Sequence, residues 1–221
     1  MFDFLTGYDL LGAFWVTVQL TVYSAIGSLV WGTLLAAMRV SPVPLMRGFG
    51  TAYVNIVRNI PLTVIIVFTS LGLFQTLSIS LGAKDFTTIN FRLAVLGLIT
   101  YTAAFVCEAL RSGINTVPAG QVEAARAIGL SFPQVLRLIV LPQAFRSVVG
   151  PLANVLIALT KNTTVAATIG VAEAALLMRE MIENEAQLIL ISVIFAFGFI
   201  CLTLPTGLLL GWVSKKVAVR R

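Results

Sequence analysis

Three charged side chains, Arg58, Glu108 and Lys161, lie inside long apolar stretches and are the residues best placed to do chemistry. A charged side chain at the centre of a bilayer costs at least about 2.5–3.5 kcal/mol, so each needs a partner or a water-filled cavity. Such residues join helices or meet polar solutes. The sequence contains no histidine, which removes the commonest general base and the commonest metal ligand. We therefore predict no catalytic residue and no metal site.

Arg58 and Glu108 are predicted to approach each other across two helices. Arg58 lies about eight residues, and Glu108 about four residues, from the same membrane surface, so at 1.5 Å per residue their depths differ by about 6 Å. Two long side chains can bridge that difference. The pair either locks the second span to the third as a structural ion pair, or lines a cavity and senses a substrate.

The elements that position these residues are predicted to be membrane helices. Hydrophobic residues make up 58% of the 221 positions and charged residues only 11%, whereas soluble domains carry roughly 25% charged residues. We predict a single all-α membrane domain over residues 1–221. Runs of about 20 apolar residues predict five spans, at residues 12–38, 51–74, 91–112, 148–165 and 186–213.

The distribution of positive charge predicts the orientation of the chain. Five spans place the two termini on opposite sides of the membrane. With the N-terminus outside, ten Lys and Arg residues lie in cytoplasmic segments and only three, Lys84, Arg92 and Arg179, lie outside. Positive residues favour the cytoplasmic side, so the C-terminus is predicted to be cytoplasmic. The net charge of +6 is explained by this topology, and a nucleic-acid partner is not indicated.

A polar, amphipathic interruption over residues 113–142 falls on the predicted cytoplasmic side. Pro118 suits the first turn of a helix, and Gly129 supplies the left-handed residue that commonly ends one. We predict a short helix over about residues 118–129. By pattern alone, the stretch either rests in the lipid headgroups or docks a partner.

A further helix is predicted to follow directly. Ser131 suits its N-cap and Pro133 its first turn. This helix returns the chain to the membrane, and Pro142 is predicted to kink it because proline removes a backbone hydrogen bond.

The segment Glu-Ala-Ala-Arg-Ala-Ile-Gly at residues 123–129, followed by Ile-Val-Leu-Pro at residues 139–142, resembles the EAA signature of permease subunits in bacterial ABC importers. In that family the helix sits in a cleft of the ATPase subunit. The resemblance implies an ATPase-coupling role for Glu123, Ala124, Ala125, Arg126, Gly129, Leu141 and Pro142. The sequence has no G-x-x-x-x-G-K-[ST] loop. We therefore expect ATP and Mg²⁺ to be bound by a partner ATPase, and no cofactor by this chain.

Three further segments resemble motifs of polar amino-acid permeases. They are Arg-Asn-Ile-Pro-Leu at residues 58–62, a looser match at residues 101–114, and Leu-Thr-Lys-Asn-Thr-Thr at residues 159–164. In the looser match Ala104 stands where the family has an acid, and Glu108 follows one helical turn later on the same face. Over roughly residues 10–215, the chain is identified as a member of the His/Glu/Gln/Arg permease family.

The resemblance implies a type I ABC importer permease fold, with about five transmembrane helices and a short cytoplasmic coupling helix. It implies a pore subunit, not an enzyme, in the lipid of the bacterial plasma membrane. The implied partners are ABC ATPase subunits, a second permease chain that is identical or paralogous, and an extracytoplasmic amino-acid-binding protein. The implied substrate-binding residues are Arg58, Glu108, Lys161, Asn162 and Thr163.

The nature of the substrate is predicted from charge. Lys161 either snorkels to the outer interface or lines the substrate path beside Asn162. A Lys with an Asn instead of an Asp leaves a positive local field, which favours an acidic or neutral amino acid over a cationic one. We expect glutamate, with glutamine or another polar or basic amino acid as the alternative. A passive channel or scaffold is the remote alternative, because it would need no cytoplasmic docking helix.

Overall fold

A computed structural model describes residues 6–217, and every regular element in that part of the chain is helical. The shortest helices occur where the chain turns between the long ones. In chain order the helices are α1 (Leu10–Val40), α2 (Pro44–Arg58), α3 (Leu62–Val67), α4 (Phe86–Ile114), α5 (Ala119–Ala127), α6 (Phe132–Val135), α7 (Leu141–Asn162), α8 (Ala174–Glu185) and α9 (Leu188–Val217). π-Helical turns, Phe68–Thr76 and Leu136–Val140, follow α3 and α6, and a 3₁₀ segment, Thr163–Ile169, follows α7.

Within residues 6–217, up to five spans are long and apolar enough to cross a membrane. Four are single helical runs, and α2 forms a fifth with Leu62–Thr76, which is α3 and its π-helical turn (the α3 segment), if the bent pair is counted as one span. This confirms an all-α membrane protein with about five transmembrane helices. The four runs are Leu10–Val40, Phe86–Ile114, Phe132–Ile169 and Leu188–Leu209.

The second predicted span, residues 51–74, is wrong as a continuous helix. The axes of α2 and the α3 segment differ by 106°. Pro61 causes the break because it has no N–H to donate and because it disfavours helical backbone at Ile60. Arg58 is therefore the last residue of α2 and does not lie within a straight span. At that position its positive charge is favourable beside the helix's free carbonyl groups.

Helices α1 and α4 pack closely because small residues lie between them. A Cβ added to Gly32 of α1 would lie 2.6 Å from Val106 of α4, closer than real side chains approach. The α3 segment packs against the same helix, since a Cβ at Gly97 would meet Ile66 at 2.7 Å. A Cβ added to Gly50 of α2 would likewise lie 2.9 Å from Arg39 at the end of α1, so α2 also packs closely against α1.

The polar interruption folds largely as predicted. Helix α5 is preceded by Pro118 and followed by Gly129, whose φ of +89° is left-handed. Ser131 forms a reciprocal capping box with Gln134 at the start of α6. Pro142 lies in the first turn of α7, directly after the π-helical turn, and Phe132–Ile169 counts as one helical run. The kink predicted at Pro142 stays a prediction.

The opposite end of the bundle is fastened by a buried acid. Glu173 caps α8 by accepting from the N–H groups of Ala175 and Leu176 at 2.8 and 3.1 Å. The Thr17 hydroxyl of α1 also donates to it, at 3.3 Å. Burial raises the pKa of Glu173 above its ordinary value of 4.5, although these hydrogen bonds oppose the increase. The carboxyl group therefore joins α8 to α1.

Glu173→Gln is expected to change how stability depends on pH. The folded chain keeps the Glu173 proton to a higher pH than the unfolded chain does, so Glu173 lowers the free energy of unfolding as pH rises above 4.5. The loss ends above the raised pKa. The glutamine variant cannot ionise, so its melting temperature should gain on the wild type across that interval. Thermal unfolding of the purified protein in detergent measures the difference.

Glu183→Gln is the matched control because Glu183 lies on the same helix, is 59% exposed and pairs with Arg179 at 2.7 Å. We expect no comparable gain in that variant. An offset for Glu173→Gln that is the same at every pH would contradict the assignment of a raised pKa to Glu173.

Candidate functional site

The predicted contact between Arg58 and Glu108 is present, and a third residue joins it. Glu108 Oε2 lies 3.1 Å from Arg58 Nη1, while Glu108 Oε1 accepts from Arg39 Nη1. The three residues come from α4, α2 and α1. Sequence reasoning missed Arg39 because its position beside the loop at residues 41–43 suggested a charge in water. The one available signal was its place at the end of an apolar span.

The two arginines differ in exposure, and this separates their roles. The Arg39 side chain is only 8% exposed, so it depends on Glu108 for charge compensation. The Arg58 side chain is 43% exposed, and its guanidinium lies 5.7 Å from the centre of the Phe105 ring. Arg39 and Glu108 thus form the structural pair. Arg58 is the cation that remains accessible, and the cluster keeps a net positive charge.

A cleft of about 390 Å³ lies between α4 and α7, beside this cluster. Ligand sites are typically concave and mostly apolar, with a few polar groups that orient the ligand. The aromatic wall is formed by Tyr101 and Phe105, whose rings are 4.9 Å apart. Because Phe105 also contacts Arg58, the cleft and the charged cluster share a side chain. The lining residues are Tyr101, Thr102, Phe105, Asn154, Val155, Ala158 and Asn162.

The predicted substrate-binding residues are not all brought together. Asn162 lines the cleft. Lys161 is exposed and is not part of the cleft wall, while Thr163 is completely buried and donates to the Thr160 carbonyl at 2.8 Å. Consecutive residues near a helix end point in different directions, since one turn takes about 3.6 residues. Substrate contact by Arg58, Glu108, Lys161, Asn162 and Thr163 stays a prediction.

Several cleft residues were not predicted as site residues. Asn154 is an exposed amide in the middle of an apolar span, and its polarity there was an available signal. Tyr101, Thr102 and Phe105 lie in the motif that resembles other permeases, but no pattern in the sequence separates them from lipid-facing residues. Only the packing of α4 against α7 places them around one cavity.

The predicted coupling residues form a surface at the end of the bundle near Glu108. Glu123, Ala124, Arg126 and Gly129 are exposed on or after α5, and Leu141 and Pro142 are exposed at the start of α7. Ala125 is buried instead, and it packs with Val135 and Val140. A hollow of about 480 Å³ lies beside these residues, lined by Gln121, Ala124, Ala125, Ile128, Leu138, Ile139 and Gln143.

This hollow has the features of a docking surface. Ile128, directly after α5, is 80% exposed, and Leu138, in the π-helical turn before α7, is 62% exposed, so two large apolar side chains face outward here. Gln143 donates to Gln121 at 2.7 Å, so α7 is joined directly to α5. A partner seated here would contact both helices at once.

Comparison with known proteins agrees with these features. The profile of the family described as binding-protein-dependent transport system inner membrane component matches residues 28–219. The chain is 58% identical over 220 residues to the glutamate transport system permease protein GluC of Corynebacterium efficiens, covering 97% of this chain and 96% of that one. It is 55% identical to the protein of the same name from Corynebacterium glutamicum, with the same coverage.

A solved structure shows the same fold. The crystal structure of an amino acid ABC transporter with histidines contains a chain that matches 94% of this chain, with 93% of that chain covered. The TM-score is 0.83 at 24% sequence identity. The likeness extends over nearly the whole helical arrangement.

The Arg39–Glu108–Arg58 cluster predicts unequal effects of substitution. Glu108→Ala leaves Arg39 buried without a counter-charge, and we expect it to lower the free energy of unfolding by about 3 kcal/mol. Arg58→Ala removes a side chain that is largely in contact with solvent, so we expect a loss below about 1 kcal/mol. Unfolding of the purified protein in detergent compares the two variants. Equal losses would contradict the division into structural and accessible arginines.

Proposed function

Because the chain belongs to the family of inner membrane components of binding-protein-dependent transport systems, we propose that it takes up glutamate as the permease subunit of an ATP-driven importer. Glutamate is proposed as the substrate because the chain is 58% identical, over almost its full length, to a glutamate transport system permease. The charge around the cleft supports the same choice. Glutamine is the second candidate, since a neutral cleft lining also accepts an amide.

The electrostatics of the cleft favour an anionic cargo. Among the residues that line it, all are uncharged. The nearest carboxylate in the charged cluster, Glu108, is already neutralised by Arg39 and Arg58. Because two arginines share one carboxylate, the cluster keeps one excess positive charge, and Arg58 holds it behind Phe105. Lys161, the residue before Asn162, adds a second positive charge. A cationic amino acid would be repelled by this arrangement, whereas a carboxylate would be attracted.

Energy would reach the cleft through α7. We expect a partner ATPase, which binds ATP and Mg²⁺, to seat in the hollow beside α5. The bond between Gln121 and Gln143 and the packing of Ala125 join α5 to the start of the same span that carries Asn154 and Asn162. A force on α5 would therefore shift one wall of the cleft relative to α4. Such rigid movement of packed helices is the usual basis of a change in access.

The remaining partners follow from the two ends of the bundle. The α5 end would face the cytoplasm, with the N-terminus outside and the C-terminus inside, in agreement with the distribution of Lys and Arg. The opposite end, which carries α8, would face an extracytoplasmic amino-acid-binding protein. A second permease chain, identical or paralogous, would complete the pathway in the bacterial plasma membrane.

Gly129→Ala is expected to uncouple ATP hydrolysis from uptake. A side chain at φ +89° is strained, which destabilises the turn after α5 by roughly 1 kcal/mol. Uptake of labelled glutamate by cells that express the complete transporter should fall severalfold, while the amount of the chain in the membrane should not.

Gly120→Ala is the matched control. Gly120 lies on α5 with open space around it and without a left-handed backbone, so alanine should leave uptake unchanged or favour the helix. Normal uptake in the Gly129 variant would contradict the coupling role of this turn. If no ATPase subunit co-purifies with the wild-type chain, the proposed importer is contradicted.

Lys161→Ala and Asn162→Ala are expected to lower the uptake of glutamate. Lys161→Ala removes a positive charge near the cleft, and Asn162→Ala removes an amide group from the cleft wall. Lys84→Ala is the control, because Lys84 is an exposed lysine in the loop before α4. Competition by unlabelled glutamate, glutamine and arginine measures the substrate preference. Stronger competition by arginine than by glutamate would contradict an anionic cargo.

A further inference from the structure

Asn154 presents an unpaired amide group in the middle of the span that contains α7. Its side chain is exposed and makes no hydrogen bond to any described residue. Two comparable side chains of the bundle are paired. Thr160 on the same helix donates to the Leu156 carbonyl at 3.2 Å, and Asn90 of α4 donates to the Ile169 carbonyl at 2.7 Å. A polar group at membrane depth is costly unless it meets a partner or a water-filled cavity, so the amide requires one of these.

The cleft between α4 and α7 supplies the place for a partner. Asn154 lines this cleft, and its exposed side chain is accessible to a ligand there. Ligand sites typically combine an apolar wall with a few polar groups that orient the ligand. The second amide of the wall, Asn162, stands about 12 Å farther along α7, because a helix rises about 1.5 Å per residue. The two amides therefore mark opposite ends of the cleft.

The packing of the two helices places Asn154 at the depth of Phe105. Gly113 of α4 packs against the turn of α7 at residues 144–148, since a Cβ added there would overlap atoms of that turn. The helices run in opposite directions, because earlier residues of α4 line the cleft with later residues of α7. Eight residues from this contact, α4 reaches Phe105 and α7 reaches the turn at residues 152–156, which contains Asn154. Both helices rise equally per residue, so the two side chains lie at one level.

Phe105 connects this end of the cleft to an excess of positive charge. The Arg58 guanidinium lies 5.7 Å from the centre of the Phe105 ring, and two arginines share the single carboxylate of Glu108. The ammonium and α-carboxylate groups of an amino acid balance each other, so a side-chain carboxylate is its unbalanced charge. That carboxylate is attracted to the Phe105 end of the cleft. There the Asn154 amide offers two N–H donors.

We propose that Asn154 is a specificity-determining residue whose amide group donates a hydrogen bond to the side-chain carboxylate of the amino acid held between α4 and α7. This inference rests on the proposed function and adds a residue that lies outside the motifs resembling other permeases. A hydrogen bond to an ionised acceptor is roughly twice as strong as one between neutral groups, so the amide favours a carboxylate over a carboxamide. The amide is itself uncharged and needs no counter-ion when the cleft is empty.

The test is equilibrium binding of labelled glutamate, and separately of labelled glutamine, to the complete permease–ATPase complex in nanodiscs at about pH 8, where carboxylates are ionised. Asn154→Asp keeps the shape of the side chain and sets a negative charge against the ligand's carboxylate. We expect glutamate to bind at least about tenfold more weakly and glutamine to become the preferred ligand. Asn154→Leu removes the donors at similar volume. We expect roughly tenfold weaker binding of glutamate and a smaller loss for glutamine.

Asn115→Asp is the matched control. Asn115 is an exposed asparagine that caps the end of α4, and it does not line the cleft. It lies ten residues beyond Phe105, or about 15 Å along the helix axis. Salt screens most of a charge at that distance, so both dissociation constants should stay within about twofold of the wild type. Because each variant is compared on two ligands, partial misfolding does not change the measured preference.

Each outcome decides the proposal. A preference for glutamate that Asn154→Asp reverses and Asn154→Leu reduces, with Asn115→Asp close to the wild type, supports it. An unchanged preference in either Asn154 variant overturns it. Loss of a permease chain from both variant complexes also overturns it, because the amide would then pair with the second permease chain.

The wild-type complex separates this proposal from the proposed function. A complex that imports glutamate without binding it between α4 and α7, or that binds glutamate no better than glutamine, overturns the role of Asn154. A complex that neither binds nor imports glutamate overturns the proposed function instead, before any variant is compared.

Discussion

The arrangement of α1, α2 and α4 depends on the ion pairs that the Glu108 carboxylate forms. It neutralises a nearly buried arginine from α1 and an accessible arginine from the end of α2. Two positive charges cannot lie together in an apolar bundle without such a partner. Pro61 ends α2 and forces the chain to change direction, and the carboxylate pairs with Arg58 at that helix end. The bend thus follows from the proline, and the charged cluster follows from the electrostatic requirement.

The second organising feature is the continuous span from α6 to the 3₁₀ segment. Its first turns carry the docking hollow, and its later turns carry two asparagines of the cleft. The helical run is continuous between these two surfaces and passes through the π-helical turn, Pro142 and Pro151. A single helical run from the hollow to the cleft would be a simple means of passing force in the proposed transport.

Much of the fold could be predicted because a bilayer imposes strong rules. The number of spans followed from apolar runs of the required length, and the α5 turn followed from Pro118, Gly129 and Ser131. The site could be predicted only in part. The contact of Arg58 with Glu108 was expected from their depths, but Arg39 was not, because a charge near a span end satisfies every sequence rule by lying in water. Thr163 was expected to bind substrate together with Asn162. Its burial could not be predicted from its place next to Asn162 in the sequence.

The sequence by itself determined the membrane class, the approximate spans, the helix caps and the presence of intramembrane charges that require partners. These features depend on composition, on proline and glycine backbone preferences and on the high cost of burying charge, which act locally. Only the tertiary structure decided which of Lys161, Asn162 and Thr163 reaches the cleft, and that Arg39 joins Arg58 on Glu108. Those outcomes depend on how the helices rotate against one another, and helix rotation is set by many packing contacts among small and apolar residues that no short pattern records.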